Sequence, residues 1–101
     1  MNAPRLEFHP EARLDLFDAL EWYAERSPDA AASFFSELDA AIERVLDAPL
    51  RWREAQPDVH IHRLHIYPHS LIYRVAKGEV TIIAVALGSR RPGYWRDRLG
   101  N

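Results

Sequence analysis

An α+β fold is what this sequence predicts: an N-terminal strand and a helical hairpin packed on a small antiparallel β-sheet. Three observations carry that expectation. Two amphipathic stretches of 3.6-residue period follow each other with almost no linker before Pro49. After Pro49 the period shifts towards two, and β-branched residues take over. Residues 80–87, VTIIAVAL, are apolar on both faces, as an interior strand is.

The elements follow in order. Residues 6–9, LEFH, alternate apolar and polar and form a short strand before Pro10. A helix over residues 10–26 starts well, because proline suits its first position and Glu11 and Asp15 suit the positive end of its dipole. Its apolar stripe is Ala12, Leu16, Ala19, Leu20 and Tyr23. Glu11, Asp15, Asp18 and Glu25 are expected on the opposite, wet face. Ser27-Pro28-Asp29 ends this helix, since the residue before a proline is driven out of the helical region. Ser27 then caps a second helix reaching about residue 48, with the stripe Ala31, Phe34, Phe35, Leu38, Ala41, Ile42 and Val45. With so short a joint the two must pack as an antiparallel hairpin. Residues 50–58 are expected to be a connecting loop. Residues 60–67, 71–75 and 80–87 form three strands of an antiparallel meander, the last two joined by the turn Ala76-Lys77-Gly78-Glu79.

The 101 residues suffice for one domain over residues 1–101 with one modest core. No run is long enough to span a bilayer, so no membrane partner is expected. The first residues lack an apolar signal segment and there are no cysteines, which fits a cytoplasmic protein without disulfides or thiolate metal sites. The net charge of −2 hides a division. Residues 1–50 hold 4 Lys+Arg against 11 Asp+Glu, and residues 51–101 hold 9 against 4. That split gives the molecule a directed field, with the basic half facing an acidic partner.

The basic charge concentrates in residues 89–98, SRRPGYWRDR, which carry four arginines and two large aromatic rings. Tyr94 and Trp95 offer stacking surfaces for bases, but large rings more often fold back on a core. The tail is therefore expected to be an ordered clasp, rings inward and arginines outward. Arg74 lies in an apolar strand on the face opposite Leu71, Tyr73 and Val75. Arginine's planar fork suits phosphate or carboxylate. Arg63, Arg74 and Arg90 are expected to converge on an open basic sheet face, joined by Arg91, Tyr94 and Arg96 as candidates for binding a target or partner. The bland alternative pairs these arginines with Asp58, Glu79 or Asp97. His60 and His62 share a strand face, yet no further ligands stand at a telling spacing. They read as exposed strand histidines, and neither metal nor cofactor is expected.

These pieces resemble the RelE/ParE superfamily, the toxin halves of type II toxin–antitoxin modules, and the ParE-like branch most. The residues that carry the resemblance are Ala19-Leu20-Glu21-Trp22-Tyr23 before Ser27-Pro28, Ala31-Ala32-Ser33-Phe34, Pro49, Leu71-Ile72-Tyr73-Arg74-Val75, Ile83-Ala84-Val85-Ala86, Ser89-Arg90, Pro92-Gly93-Tyr94-Trp95 and Arg98. Leu87 departs from the pattern, because relatives commonly carry a histidine directly before Gly-Ser-Arg. An early arginine of the strand before Pro68 has three rivals here, His60, His62 and Arg63. The resemblance implies a cognate antitoxin as partner and DNA gyrase as target, inhibited without catalysis. Two other readings stay open: a ribosome-dependent mRNA endonuclease of the RelE kind, and a toxin that retains only antitoxin binding. The acidic helices, the missing histidine and a sequence pI of about 6.2 favour the gyrase reading. No catalytic residue is assigned.

Overall fold

The computed structural model describes residues 4–100. Along the chain come β1 (Arg5–Phe8), α1 (Pro10–Arg26), α2 (Pro28–Asp47), β2 (Arg53–Gln56), β3 (Val59–Arg63), β4 (His69–Ala76), β5 (Glu79–Leu87) and a 3-10 helix (Tyr94–Gly100). The five strands make one sheet in the order β1-β5-β4-β3-β2. The last four form an antiparallel meander, and β1 lies parallel to β5 at its outer edge. The fold is α+β, as the periodicities require.

Ser27 is the whole joint between the helices. Its N–H donates to the Tyr23 carbonyl, which closes α1, and its hydroxyl accepts from the Ala30 N–H, which opens α2. One extended residue thus satisfies groups at both helix ends, and the hairpin needs no loop. The hairpin buries Ala12, Phe34, Leu38, Ala41 and Val45 against Leu71, Tyr73, Val80, Ile82 and Val85 of the sheet. Tyr73 carries its hydroxyl through this core and donates it to the Pro49 carbonyl at 2.6 Å, so the phenol is buried without an orphan polar atom. Phe35 departs from the expected stripe and remains 51% exposed.

Two strand expectations need correction. The segment expected to be a loop contains β2, which pairs with β3 through a register shift between Glu54 and Gln56. Its four residues, REAQ, show no apolar alternation, because an edge strand packs little on either face. The strand expected over residues 60–67 spans only Val59–Arg63. Beyond it the chain leaves the sheet, and the Glu37 carboxylate of α2 accepts the N–H groups of His65 and Ile66. Those amides are therefore paired without a neighbouring strand.

The turn between β4 and β5 falls where the sequence puts it. Lys77 and Gly78 have φ of 53° and 77°, the pair of positive values that a two-residue hairpin needs. A lysine is sterically strained in that conformation, whereas asparagine tolerates it. Lys77→Asn is expected to raise stability by about 0.5–1 kcal/mol, read as a higher urea midpoint with an unchanged m-value.

The second face of the sheet is only partly open, where a fully open basic face was expected. Val59, Ile72, Ile83 and Ala84 form a smaller apolar cluster there, roofed by Trp95 of the 3-10 helix with Leu99 beside it. Burial of Trp95 to 5% exposure explains why the tail is ordered: a large ring gains more by covering apolar strands than by facing water.

Candidate functional site

The tail is anchored by one buried ion pair. Arg98 donates from Nη1 to Asp15 Oδ2 at 2.8 Å and from Nη2 to Oδ1 at 3.2 Å, with the two side chains only 8% and 9% exposed. This overturns two expectations. Asp15 does not face water, and the tail's arginines do not all point outward. Asp15 Oδ2 also accepts the Tyr94 hydroxyl and the Val85 N–H, both at 3.1 Å. Arg98 Nη1 reaches the Ile83 carbonyl at 2.9 Å. Ile83 is the extra residue of a bulge, since Ile72 pairs with Ala84 and Tyr73 with Ile82. The Asp15–Arg98 pair therefore takes the place of a strand, satisfying backbone groups of β5 beyond the point where β1 ends. Burial alone would lower the Arg98 pKa; hydrogen bonding to Asp15 and its charge outweigh that and raise it. The Tyr94 hydroxyl is pushed up to about 12, by burial first and then by the Asp15 carboxylate.

With its ends fixed, the tail forms one bank of a groove of about 410 Å³ across the second sheet face. Arg53 of β2, Arg90 and Arg91 after β5, and Arg96 of the 3-10 helix line it, with Glu54, Ser70 and Tyr94. The Arg90 guanidinium stacks 3.9 Å over the Tyr94 ring, and Arg96 Nε donates to Gln56 Oε1 at 3.1 Å. Both contacts are with neutral groups. Gly93 allows this layout: its φ is +75°, and a Cβ there would lie 1.9 Å from Arg96 Nη1.

Of the residues singled out in the sequence, Arg90, Arg91, Tyr94 and Arg96 share this groove. Arg63 and Arg74 are not among its lining residues. Arg63 is exposed at the end of β3. Arg74 is half-buried under the end of the tail, where Nη1 donates to the Leu99 carbonyl at 3.4 Å. The expected convergence of Arg63, Arg74 and Arg90 is thus replaced by Arg53, Arg90, Arg91 and Arg96. Arg53 escapes sequence reasoning because its segment reads as a loop; an Arg-Glu pair flanking an alanine gives no strand signal.

A second hollow, a cleft of about 290 Å³, opens on the other side of the β5 terminus. Trp22, Tyr23, Pro68, Val85 and Leu87 make it largely apolar, and Asp15, Asp18 and Arg90 line it as well. Leu87 and Arg90 belong to both hollows, so the two surfaces meet there. His69 lies directly across the β4–β5 ladder from Leu87, buried, with no partner at Nδ1. Burial lowers its pKa and holds the ring neutral. The other strand histidines are also interior, not exposed as expected. His60 stacks on Tyr73 and bonds the Trp52 carbonyl; His62 packs 3.9 Å from Trp52 and accepts from Arg44. Among the described residues no group of three or more His, Cys, Asp or Glu could hold a metal ion. No helix among them is long and apolar enough to cross a membrane.

This architecture has relatives. Residues 6–94 match the family model described as the ParE toxin of the type II toxin–antitoxin system parDE. The chain belongs to the ParE toxin family. Toxin ParE2 of Mycobacterium tuberculosis, in strains CDC 1551 and H37Rv, is 30% identical over 93 residues, which cover 87% of this chain and 85% of that protein. A solved structure titled chromosomal ParDE TA system from P. aeruginosa superposes with a TM-score of 0.73. It is 18% identical and covers 84% of this chain and 96% of that one, a likeness of fold. This ParE-type chain is therefore a toxin of a type II toxin–antitoxin system.

Proposed function

We propose that this ParE-type toxin arrests DNA gyrase by binding it, without catalysing a reaction, that it acts in the cytoplasm, and that a cognate antitoxin neutralises it. The observation that carries the reading is the chemistry of the basic groove. Its guanidinium groups can grip phosphate or carboxylate. Metal-free RNA cleavage also needs a base for the 2′-hydroxyl and an acid for the leaving oxygen. Tyr94 is poorly suited to either role, with its hydroxyl bonded to Asp15 and its pKa pushed up to about 12. The position where relatives carry a histidine is Leu87, and His60, His62 and His69 are buried. The groove thus offers attraction without proton transfer.

Neutralisation is supported by the junction at Leu87 and Arg90. An amphipathic acidic segment could place an apolar side chain in the cleft and a carboxylate on Arg90 at once, covering both hollows. Two assays on the purified chain test the proposal. Inhibition of gyrase supercoiling is expected, with no codon-positioned cuts in a translating extract. Arg90→Ala with Arg91→Ala is expected to weaken the inhibition at least about tenfold, the loss of one or two charge-assisted contacts. Codon-positioned cuts would select the endonuclease reading. A chain inert in both assays that still binds its antitoxin would leave only the third reading.

A further inference from the structure

We infer that the arginine groove holds the sugar–phosphate backbone of duplex DNA, while the adjoining apolar cleft meets protein. The inference rests on the gyrase reading, because gyrase is the target that carries a duplex. Guanidinium groups reach the groove from three separate segments: Arg53 from β2, Arg90 and Arg91 from the stretch after β5, and Arg96 from the 3-10 helix. Side chains gathered from distant parts of the chain on one hollow form a composite anion surface, which a run of basic residues in sequence would not by itself produce.

The rings exclude a single strand as the better ligand. Proteins that hold single strands stack bases on accessible aromatic faces. Here Trp95 is committed to the second core, and Tyr94 lies beneath the Arg90 guanidinium with its hydroxyl on Asp15. What remains is charge without a stacking platform, which suits regularly spaced phosphates rather than bases. The two hollows also divide the labour. The cleft has apolar walls for a protein side chain, and the groove has the cations. Residues 1–50, helical hairpin included, are strongly acidic, so their field turns any duplex towards the groove side.

The test is fluorescence anisotropy of a labelled short duplex with the full chain over a salt series, beside a single-stranded RNA and polyglutamate. Four phosphate contacts give a log–log salt slope of about −3.6, a roughly 150-fold loss of affinity between 50 and 200 mM salt. Arg53→Ala, Arg91→Ala and Arg96→Ala should each flatten the slope by about 0.9. Arg13→Ala, on α1 and outside the groove, should leave it unchanged. Duplex binding with this pattern supports the inference. No duplex binding at low salt, a slope indifferent to the three variants, or tighter binding of RNA or polyglutamate overturns it. Supercoiling is measured in parallel. A chain that inhibits gyrase yet ignores duplex DNA loses this inference and keeps the gyrase reading. A chain that binds duplex with the expected slope but spares gyrase loses only that reading.

Discussion

Asp15→Ala is expected to destabilise the fold by about 3–5 kcal/mol, because it strands a buried guanidinium without its carboxylate. For a domain this small that is a large share of a total of about 5–15 kcal/mol. Exposed pairs such as Arg5–Glu7 carry no comparable weight, since water screens both partners. The Asp15–Arg98 pair differs in burial and in the number of groups that depend on it. Removing the carboxylate also leaves the Val85 N–H and the Tyr94 hydroxyl without their acceptor. Asp15→Leu with Arg98→Met separates the contributions. Replacing a buried ion pair by apolar side chains is often neutral. Here it should recover only part of the loss, because the Ile83 carbonyl and Val85 N–H remain unpaired, at about 1–3 kcal/mol each. Urea denaturation of both variants measures this. If Asp15→Ala costs less than about 1 kcal/mol, the pair behaves as a surface contact and the clasp is a minor device.

The clasp ties stability to function. Tyr94 is held by Asp15, and Arg90 lies over the Tyr94 ring. Arg96, in the same short helix as Tyr94, is set by Gly93 and by Gln56 of β2. Arg90 and Arg96 therefore rest on a short segment that the ion pair anchors. An Asp15 variant still folded at low temperature should lose target affinity along with stability, without any groove residue having been changed.

Legibility in the sequence followed the range of the interactions. The helices, Ser27, the Lys77-Gly78 turn and the buried Trp95 depend on neighbours within a few residues or on plain apolarity, and each could be read directly. Asp15 could not. It sits one position before Leu16, at the margin of the apolar stripe, where helical periodicity does not decide between core and solvent. Its partner lies 83 residues away, inside a tail whose arginines look alike. The same holds for Arg53, whose strand is defined by pairing with β3 rather than by its own residues. The histidines of β3 look exposed from local sequence alone, because the face that α2 and Trp52 cover is closed only by tertiary packing.

Two buried histidines, His62 of β3 and His69 of β4, set the second large effect, a loss of stability in mild acid. His62 is held neutral chiefly by burial, then by the nearby charges of Arg44 and His65, with Glu37 opposing them. Its Nε2 accepts the Arg44 Nε–H at 3.2 Å, a bond that protonation would destroy while setting two cations side by side. His69, 6% exposed and packed against the rings of Tyr23 and Phe34, is held neutral by burial. Both folded pKa values lie below the ordinary 6.5. At these two rings the unfolded chain therefore takes up protons from about pH 6.5 downward more readily than the folded chain. Stability contributed by the neutral rings is present above that pH and is lost as pH falls towards the folded values. Within that window each ring makes stability fall with pH, and the two act in the same direction. Carboxylates begin to titrate only below about pH 5, which leaves the range above it to the histidines. Urea midpoints at several pH values between 7.5 and 5.5 measure the slope. His62→Gln, which keeps an acceptor for Arg44 and removes the titration, should roughly halve it. A stability that stays level down to pH 5.5 would mean that both rings take up a proton in place, and that the packing of α2 on β3 and β4 accommodates charge where burial argues against it.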